Sequence, residues 1–159
     1  MDAWIGLGAN LGDRRAAIGS ALDALRLLPR TRLLARSRLW ASPPLDADGP
    51  DYLNAVARLD TGLAADELLA ALHAIEARAG RERPHRNAPR TLDLDLLLHG
   101  DATIDGPSLT LPHPRIAARA FVLRPLAELD PDLLVPGRGR VRELLPAVAA
   151  QRCVPWSAR

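Results

Sequence analysis

Lysine is absent from this sequence: all 21 basic residues are arginine. That excludes a Schiff-base lysine and the phosphate-gripping lysine of P-loop nucleotide binders. Cys153 is the only cysteine, so no intramolecular disulfide can form, and a cytoplasmic location is the simplest expectation. No stretch approaches about 18 uninterrupted apolar residues, and MDAWIGLGANLG lacks a basic segment ahead of a long apolar run. Neither a membrane span nor a secretory leader is therefore expected. The net charge of +2 argues for neither nucleic acid nor a membrane surface. Aromatic residues are scarce: Tyr52, Phe121, Trp4, Trp40 and Trp156. A core of Leu, Ala, Val and Ile has no need of one Tyr and one Phe for bulk, so those two rings invite a functional question.

The length of 159 residues fits one domain, 1–159, with a substantial core. Residues 3–9 (AWIGLGA) read as a strand. Residues 13–28 follow as a helix, with Ile18, Leu22 and Leu25 at helical spacing, Asp13 placed to cap and Pro29 to stop. A strand is expected at 32–40, a Pro/Gly/Asp-rich loop at 41–51, and an alternating strand at 53–60 with Leu53, Ala55, Ala57 and Leu59 inward. A helix over 65–79 turns Leu68, Leu72 and Ile75 to the core. A charged loop, 80–90, then leads into another strand. Beyond Gly100 the pattern suggests a short strand at 108–111, helices near 115–129 and 141–150, and a polar tail. Strand, helix, strand, strand, helix, strand is the order of a ferredoxin-like α+β plan (βαββαβ), here with a C-terminal extension.

PRTLDLDLLL, residues 89–98, concentrates the chemistry. Alternation puts Leu92, Leu94 and Leu96 on one face and Asp93 and Asp95 on the other. Two carboxylates about 7 Å apart disfavour each other's ionisation unless something positive lies between them. Arg81, Arg83, Arg86 and Arg90 crowd the preceding loop, beside His85. Guanidinium forks match phosphate oxygens, and Mg²⁺ prefers a few carboxylates completed by substrate oxygens. The pair and the loop thus call for one ligand, a Mg²⁺–polyphosphate, although a solvated turn and two salt bridges remain the plainer alternative. Tyr52 and Asn54 share a strand face, a ring beside a bidentate amide, which suits a flat heterocycle, although a tyrosine capping a strand end is the ordinary explanation. Leu69, His73 and Glu76 form a second helix stripe, offset from the core stripe, of the kind that is usually a solvent-facing side. His113 reads as either a phosphate donor or a structural histidine. GLGANLG, residues 6–12, misses a dinucleotide fingerprint by one residue and reads as a tight strand-to-helix turn.

The run Arg86 to Leu97 (RNAPRTLDLDLL) resembles the signature of the hydroxymethyldihydropterin pyrophosphokinases of folate biosynthesis. GLGANLGD, SPPL at 42–45, PDYLNAV at 50–56, IEARAGRER at 75–83, LTLPHPR at 109–115 and RAFVLRPL at 119–126 agree in order, so the resemblance covers about residues 3–131. It implies Mg²⁺-dependent transfer of pyrophosphate from ATP to the hydroxymethyl group of a reduced pterin, with release of AMP. Asp93 and Asp95 would hold two Mg²⁺ ions on the triphosphate. The pterin would lie between Tyr52 and Phe121, its polar edge read by Asn54 and the backbone of Ser42, Pro43, Pro44 and Leu45. Arg81 and Arg90 would stabilise charge during transfer, while Arg83, Arg86, Arg119 and His113 would bind phosphates. Leu69, His73, Glu76, Leu96 and Thr110 would face the nucleoside. Where some members carry an aromatic residue, an arginine and another aromatic, this sequence has Asn87, Ser108 and Pro114. ATP and the pterin are the expected partners of a monomer that binds neither nucleic acid nor membrane. The rival readings are an RNA-binding ferredoxin-like module, which needs exposed aromatics on open strands, and a metal-dependent phosphohydrolase.

Overall fold

The computed structural model describes residues 1–44, 50–81 and 92–157, the side chain of Arg81 apart. The central sheet is antiparallel and built from β1 (Asp2–Ala9), β2 (Thr31–Arg36), β3 (Trp40–Ser42), β4 (Tyr52–Thr61), β5 (Asp93–His99) and β10 (Val154–Pro155). Across it the order is β10, β3, β4, β1, β5, with β2 also pairing to β4. Short hairpins are formed by β6 (Ile104–Asp105) with β7 (Thr110–Leu111), and by β8 (Leu134–Val135) with β9 (Gly139–Arg140).

One face of the sheet is covered by α1 (Arg14–Arg26) and α2 (Ala65–Arg81). The Asp13 carboxylate accepts from the Ala16 N–H at 3.0 Å and starts α1, as its position predicts. Ile18, Leu22 and Leu25 of α1 and Leu68, Leu72 and Ile75 of α2 pack on Leu53, Ala55, Ala57, Leu59, Leu94 and Leu96. The opposite face carries a second core. There α3 (Ala120–Leu129) and the short α4 (Val141–Leu144) cover Trp4, Trp40, Val56, Leu97 and Leu98. Both strand tryptophans are therefore buried, at 2% and 7% exposure, and offer no stacking platform for single-stranded RNA.

Three expectations need correction, and β5 adds a register shift that its residue pattern does not announce. The strand expected at 32–40 is two strands, β2 and β3. Between them the Ser37 hydroxyl replaces a ladder partner, accepting from the Val56 N–H at 2.9 Å. Alternation along β5 inverts after Leu96: the register against β1 shifts between Trp4 and Ile5, leaving Leu97 outside the pairing and sending Leu98 to the second core. The helix expected near 115–129 begins as a 3₁₀ turn, Ile116–Ala118, and only α3 beyond Arg119 is α-helical; that near 141–150 is α4 followed by a 3₁₀ turn, Leu145–Val148. The polar tail is built in, since β10 pairs with β3 and Trp156 packs against the helix-side core.

Cys153, in that tail, is 6% exposed, and burial pushes its thiol pKa up while Arg124 opposes the shift. Thiolate is the reactive form. We expect a thiol-specific disulfide reagent to label the native chain about 100-fold more slowly than the urea-unfolded chain. Stoichiometric labelling at the unfolded rate would contradict this packing.

Candidate active site

The site lies on the sheet face that α3 covers, beyond the end of the second core. In the antiparallel register Gly8 of β1 stands opposite Asp93 on one side and Asn54 on the other; Gly6 stands opposite Asp95 and Val56. Directly opposed residues share a face, so two carboxylates and an amide flank a lane of β1 that carries no side chains. Two residues before Asn54, on the same face, stands Tyr52, paired with Ser42 of β3. Arg119, Phe121 and Val122 close the space from above, leaving a cavity of about 200 Å³ that Ser42, Pro43, Tyr52, Asn54, Asp93 and Asp95 also line.

Asn54 is 4% exposed and its amide is oriented: Nδ2 donates to Ser42 Oγ at 2.8 Å. Its Oδ1 then lies 3.4 Å from the point where a Cβ on Gly8 would stand. The Arg119 guanidinium sits 5.3 Å from the centre of the Phe121 ring. Burial lowers the Arg119 pKa, Arg115 adds to that, and Asp95 opposes it; an arginine so shifted keeps its charge at neutral pH.

His113 Nε2 is 3.8 Å from Asp95 Oδ1. Its Nδ1 accepts from the Arg115 N–H at 3.1 Å, which assigns the proton of the neutral ring to Nε2. Burial, above all, pulls the His113 pKa down; Asp95 raises it, and Arg119 and Arg115 lower it further. The ring is thus held neutral, with a donor directed at the carboxylate side of the site. Its backbone N–H donates to Leu97 O at 2.9 Å, so this loop lies along the outer edge of β5.

On the sheet's other side the picture is mixed. The Glu76 carboxylate accepts from the Leu94 N–H at 2.9 Å and ties α2 to the outer edge of β5. Leu69 is partly buried against the helix-side core, while His73 is exposed. Leu96 is 3% exposed in that same core, on the face away from Asp93 and Asp95, so only its backbone can serve a ligand on their face. Thr110 lies in β7, close to β5. Leu45, Arg83, Arg86, Arg90 and the Arg81 side chain, together with Asn87, lie outside the described residues. Pro44 is described but does not line the cavity.

Sequence reasoning overlooked Gly6 and Gly8. Their signal was legible: glycines two apart within a strand leave one face bare, which admits close approach to the backbone. Gly12, with φ of +63°, is the residue that makes the strand-to-helix turn.

No described cluster of three or more His, Cys, Asp or Glu side chains could hold a metal. Two hard carboxylates beside a bare lane are instead the donor set for a cation that arrives with substrate oxygens. The residues present fit a divalent cation on those terms.

The chain matches known proteins over most of its length. The family model described as 7,8-dihydro-6-hydroxymethylpterin-pyrophosphokinase (HPPK) matches residues 4–131. A 2-amino-4-hydroxy-6-hydroxymethyldihydropteridine pyrophosphokinase of Pseudomonas aeruginosa is 52% identical over 145 residues, covering 91% of this chain and 90% of that protein. One of Haemophilus influenzae is 40% identical over 155 residues and 97% of each chain. Among solved structures, Plasmodium falciparum HPPK-DHPS with pterin and p-hydroxybenzoate superposes with a TM-score of 0.72 at 14% identity. That match covers 91% of this chain but only 42% of the other. On the family match and these identities, the chain belongs to the 7,8-dihydro-6-hydroxymethylpterin-pyrophosphokinase family.

Proposed function

We propose that this chain transfers pyrophosphate from ATP to the hydroxymethyl oxygen of 6-hydroxymethyl-7,8-dihydropterin, releasing AMP, in folate synthesis. The observation that carries the reading is one cavity face on which Asp93 and Asp95 stand across bare glycines from Ser42, Tyr52 and Asn54, beneath Phe121. The chain acts as a single domain, 1–159, and as a monomer in the cytoplasm. Its strand order, with β1 between β4 and β5 and a helix after β1 and after β4, supports a ferredoxin-like core.

The pterin ring lies between Tyr52 and Phe121, its polar edge on Asn54 and the backbone of 42–45. Asn54 can meet such an edge because Ser42 already holds its amide in one orientation. Asp93 and Asp95 would hold two Mg²⁺ ions. Bound there, the ions would neutralise triphosphate charge and polarise phosphoryl oxygens. The hydroxymethyl oxygen attacks the β-phosphorus in line, its bond to that phosphorus forming as the bridge to the α-phosphate breaks. AMP departs with the bridging oxygen, and the hydroxyl proton passes to water. Such chemistry rests on positioning and charge neutralisation. Arg119 and the Nε2–H of His113 donate to phosphate oxygens. Because His113 carries its proton on the atom facing the site, it stabilises charge there and takes no proton. Arg81 and Arg90 stabilise the transferring group; Arg83 and Arg86 bind phosphates. Glu76, Leu69, His73, Thr110 and the Leu96 backbone surround the nucleoside along the outer edge of β5.

Incubation with ATP, a magnesium salt and the hydroxymethyl pterin should yield AMP and the pterin diphosphate in equal amounts, resolved by ion-exchange chromatography. Chelation with EDTA should stop both. ADP as the nucleotide product would refute pyrophosphoryl transfer, and orthophosphate released without pterin would favour a phosphohydrolase.

A further inference from the structure

Residues 151–155 lie beyond the segment that the family match covers, which ends at residue 131. They nevertheless hold both walls of the cavity. On one wall, the Gln151 amide spans Arg119: its Oε1 accepts from the Ala120 N–H at 2.8 Å, and its Nε2 donates to the Ala118 carbonyl at 2.9 Å. On the other wall, Arg152 Nη2 reaches both oxygens of Asp51, at 3.0 and 3.1 Å, next to Tyr52. Val154 and Pro155 then pair with Ala41 and Trp40, one residue before Ser42.

The grip on Arg119 is specific in its chemistry. Arg119 is extended, at φ −129° and ψ 117°, between a 3₁₀ turn and α3, and its own side chain supplies no cap to the helix. The Ala120 N–H belongs to the first turn, where helix donors lack partners within the helix. A primary amide satisfies that donor and the Ala118 acceptor together, because it carries one acceptor and one donor on the same planar group. The peptide groups on both sides of Arg119 are thereby fixed, and with them the direction in which Arg119 enters the cavity.

We propose that Gln151 is a positioning residue for the transfer reaction, aiming Arg119 at bound substrate from outside the cavity. This rests on the reading of Arg119 as a substrate contact. Gln151→Leu, similar in size but without hydrogen bonds, should lower kcat/KM for the pterin about 30-fold, since small misplacements of this kind are costly. Assays run well below the melting temperature, with the folded fraction checked by circular dichroism, exclude simple unfolding. Gln151→Glu, which keeps the acceptor and loses the donor, should fall between. In an Arg119→Ala background, Gln151→Leu should cost no more than about threefold further, because a residue acting through another does not add to its loss. Wild-type kcat/KM in Gln151→Leu, or losses that multiply in the double variant, would overturn the proposal. If Arg119→Ala itself left pterin turnover intact, the assignment of Arg119 would fall. Any effect of Gln151→Leu would then not run through Arg119, and the positioning role would fall with it.

Discussion

Asp95→Asn should reduce AMP formation at least about 1000-fold while leaving the melting temperature of the metal-free protein within about 2 °C of the parent's. The first figure follows from the role proposed for the carboxylate. Neutralising charge on a transferring phosphoryl group is worth several kcal/mol. At about 1.4 kcal/mol per decade, a loss of roughly 4 kcal/mol is three decades. Asparagine keeps the shape and one oxygen, and replaces the charge and the second acceptor oxygen with a neutral NH2 donor.

The second figure follows from exposure. The Asp95 side chain is 44% exposed, so water screens its interactions in the empty site. Losing the charge relieves repulsion from Asp93, which sits two residues away on the same face. It also removes a favourable field at Arg119. These effects oppose each other and both are screened. Melts with and without a magnesium complex of a non-hydrolysable ATP analogue sharpen the test. The parent should gain stability from the complex by mass action, and Asp95→Asn should gain little. A variant that melted early yet kept its turnover would mean that Asp95 supports the fold and holds no metal.

Where the pattern is local, the sequence was a reliable guide. Asp13 caps α1, and Leu53, Ala55, Ala57 and Leu59 of β4 with Leu68, Leu72 and Ile75 of α2 face the helix-side core, because a strand or helix displays its own period. Alternation also put Asp93 with Asp95, and Tyr52 with Asn54, on shared faces, and all four line the cavity; Phe121, which lines it too, had no such period behind it and entered only through its scarcity and the family resemblance. What was not legible is set by partners distant in the chain. Leu33, Ala35, Ser37 and Leu39 alternate without interruption, yet the strand breaks because Ser37 bonds to Val56. Leu96 and Leu98 are two apart, yet they occupy opposite cores, because β5 slips against β1. The tail's strand is two residues long and exists only by pairing with β3. Leu96 is instructive in another way. Alternation had already put its side chain opposite the aspartates, and the structure agrees, so its expected place beside the nucleoside can be filled by backbone alone.

The bare lane between carboxylates and amide leads to the other large effect. Gly8→Val should raise KM for the pterin about 100-fold or abolish binding, while the fold stays as stable as the parent or gains slightly. Nothing in the backbone demands glycine here: Gly8 lies within a regular strand and is not among the residues with positive φ. A Cβ would meet Asn54 Oδ1 at 3.4 Å and the Leu53 carbonyl at 4.0 Å, which the fold can accept with a small shift. Valine also suits a strand better than glycine, by up to about 1 kcal/mol. The cost falls on the ligand. An isopropyl group between Asp93 and Asn54 stands on the floor of a cavity of only about 200 Å³. Gly12→Ala is the informative contrast, since Gly12 has φ of +63° and a Cβ there would meet nothing within 4 Å. It should lower stability by about 1 kcal/mol, the cost of a left-handed residue, and leave pterin binding intact. Calorimetric titration with the pterin and thermal melts of both variants read the two effects separately. Unchanged pterin affinity in Gly8→Val would mean that the heterocycle does not lie across β1.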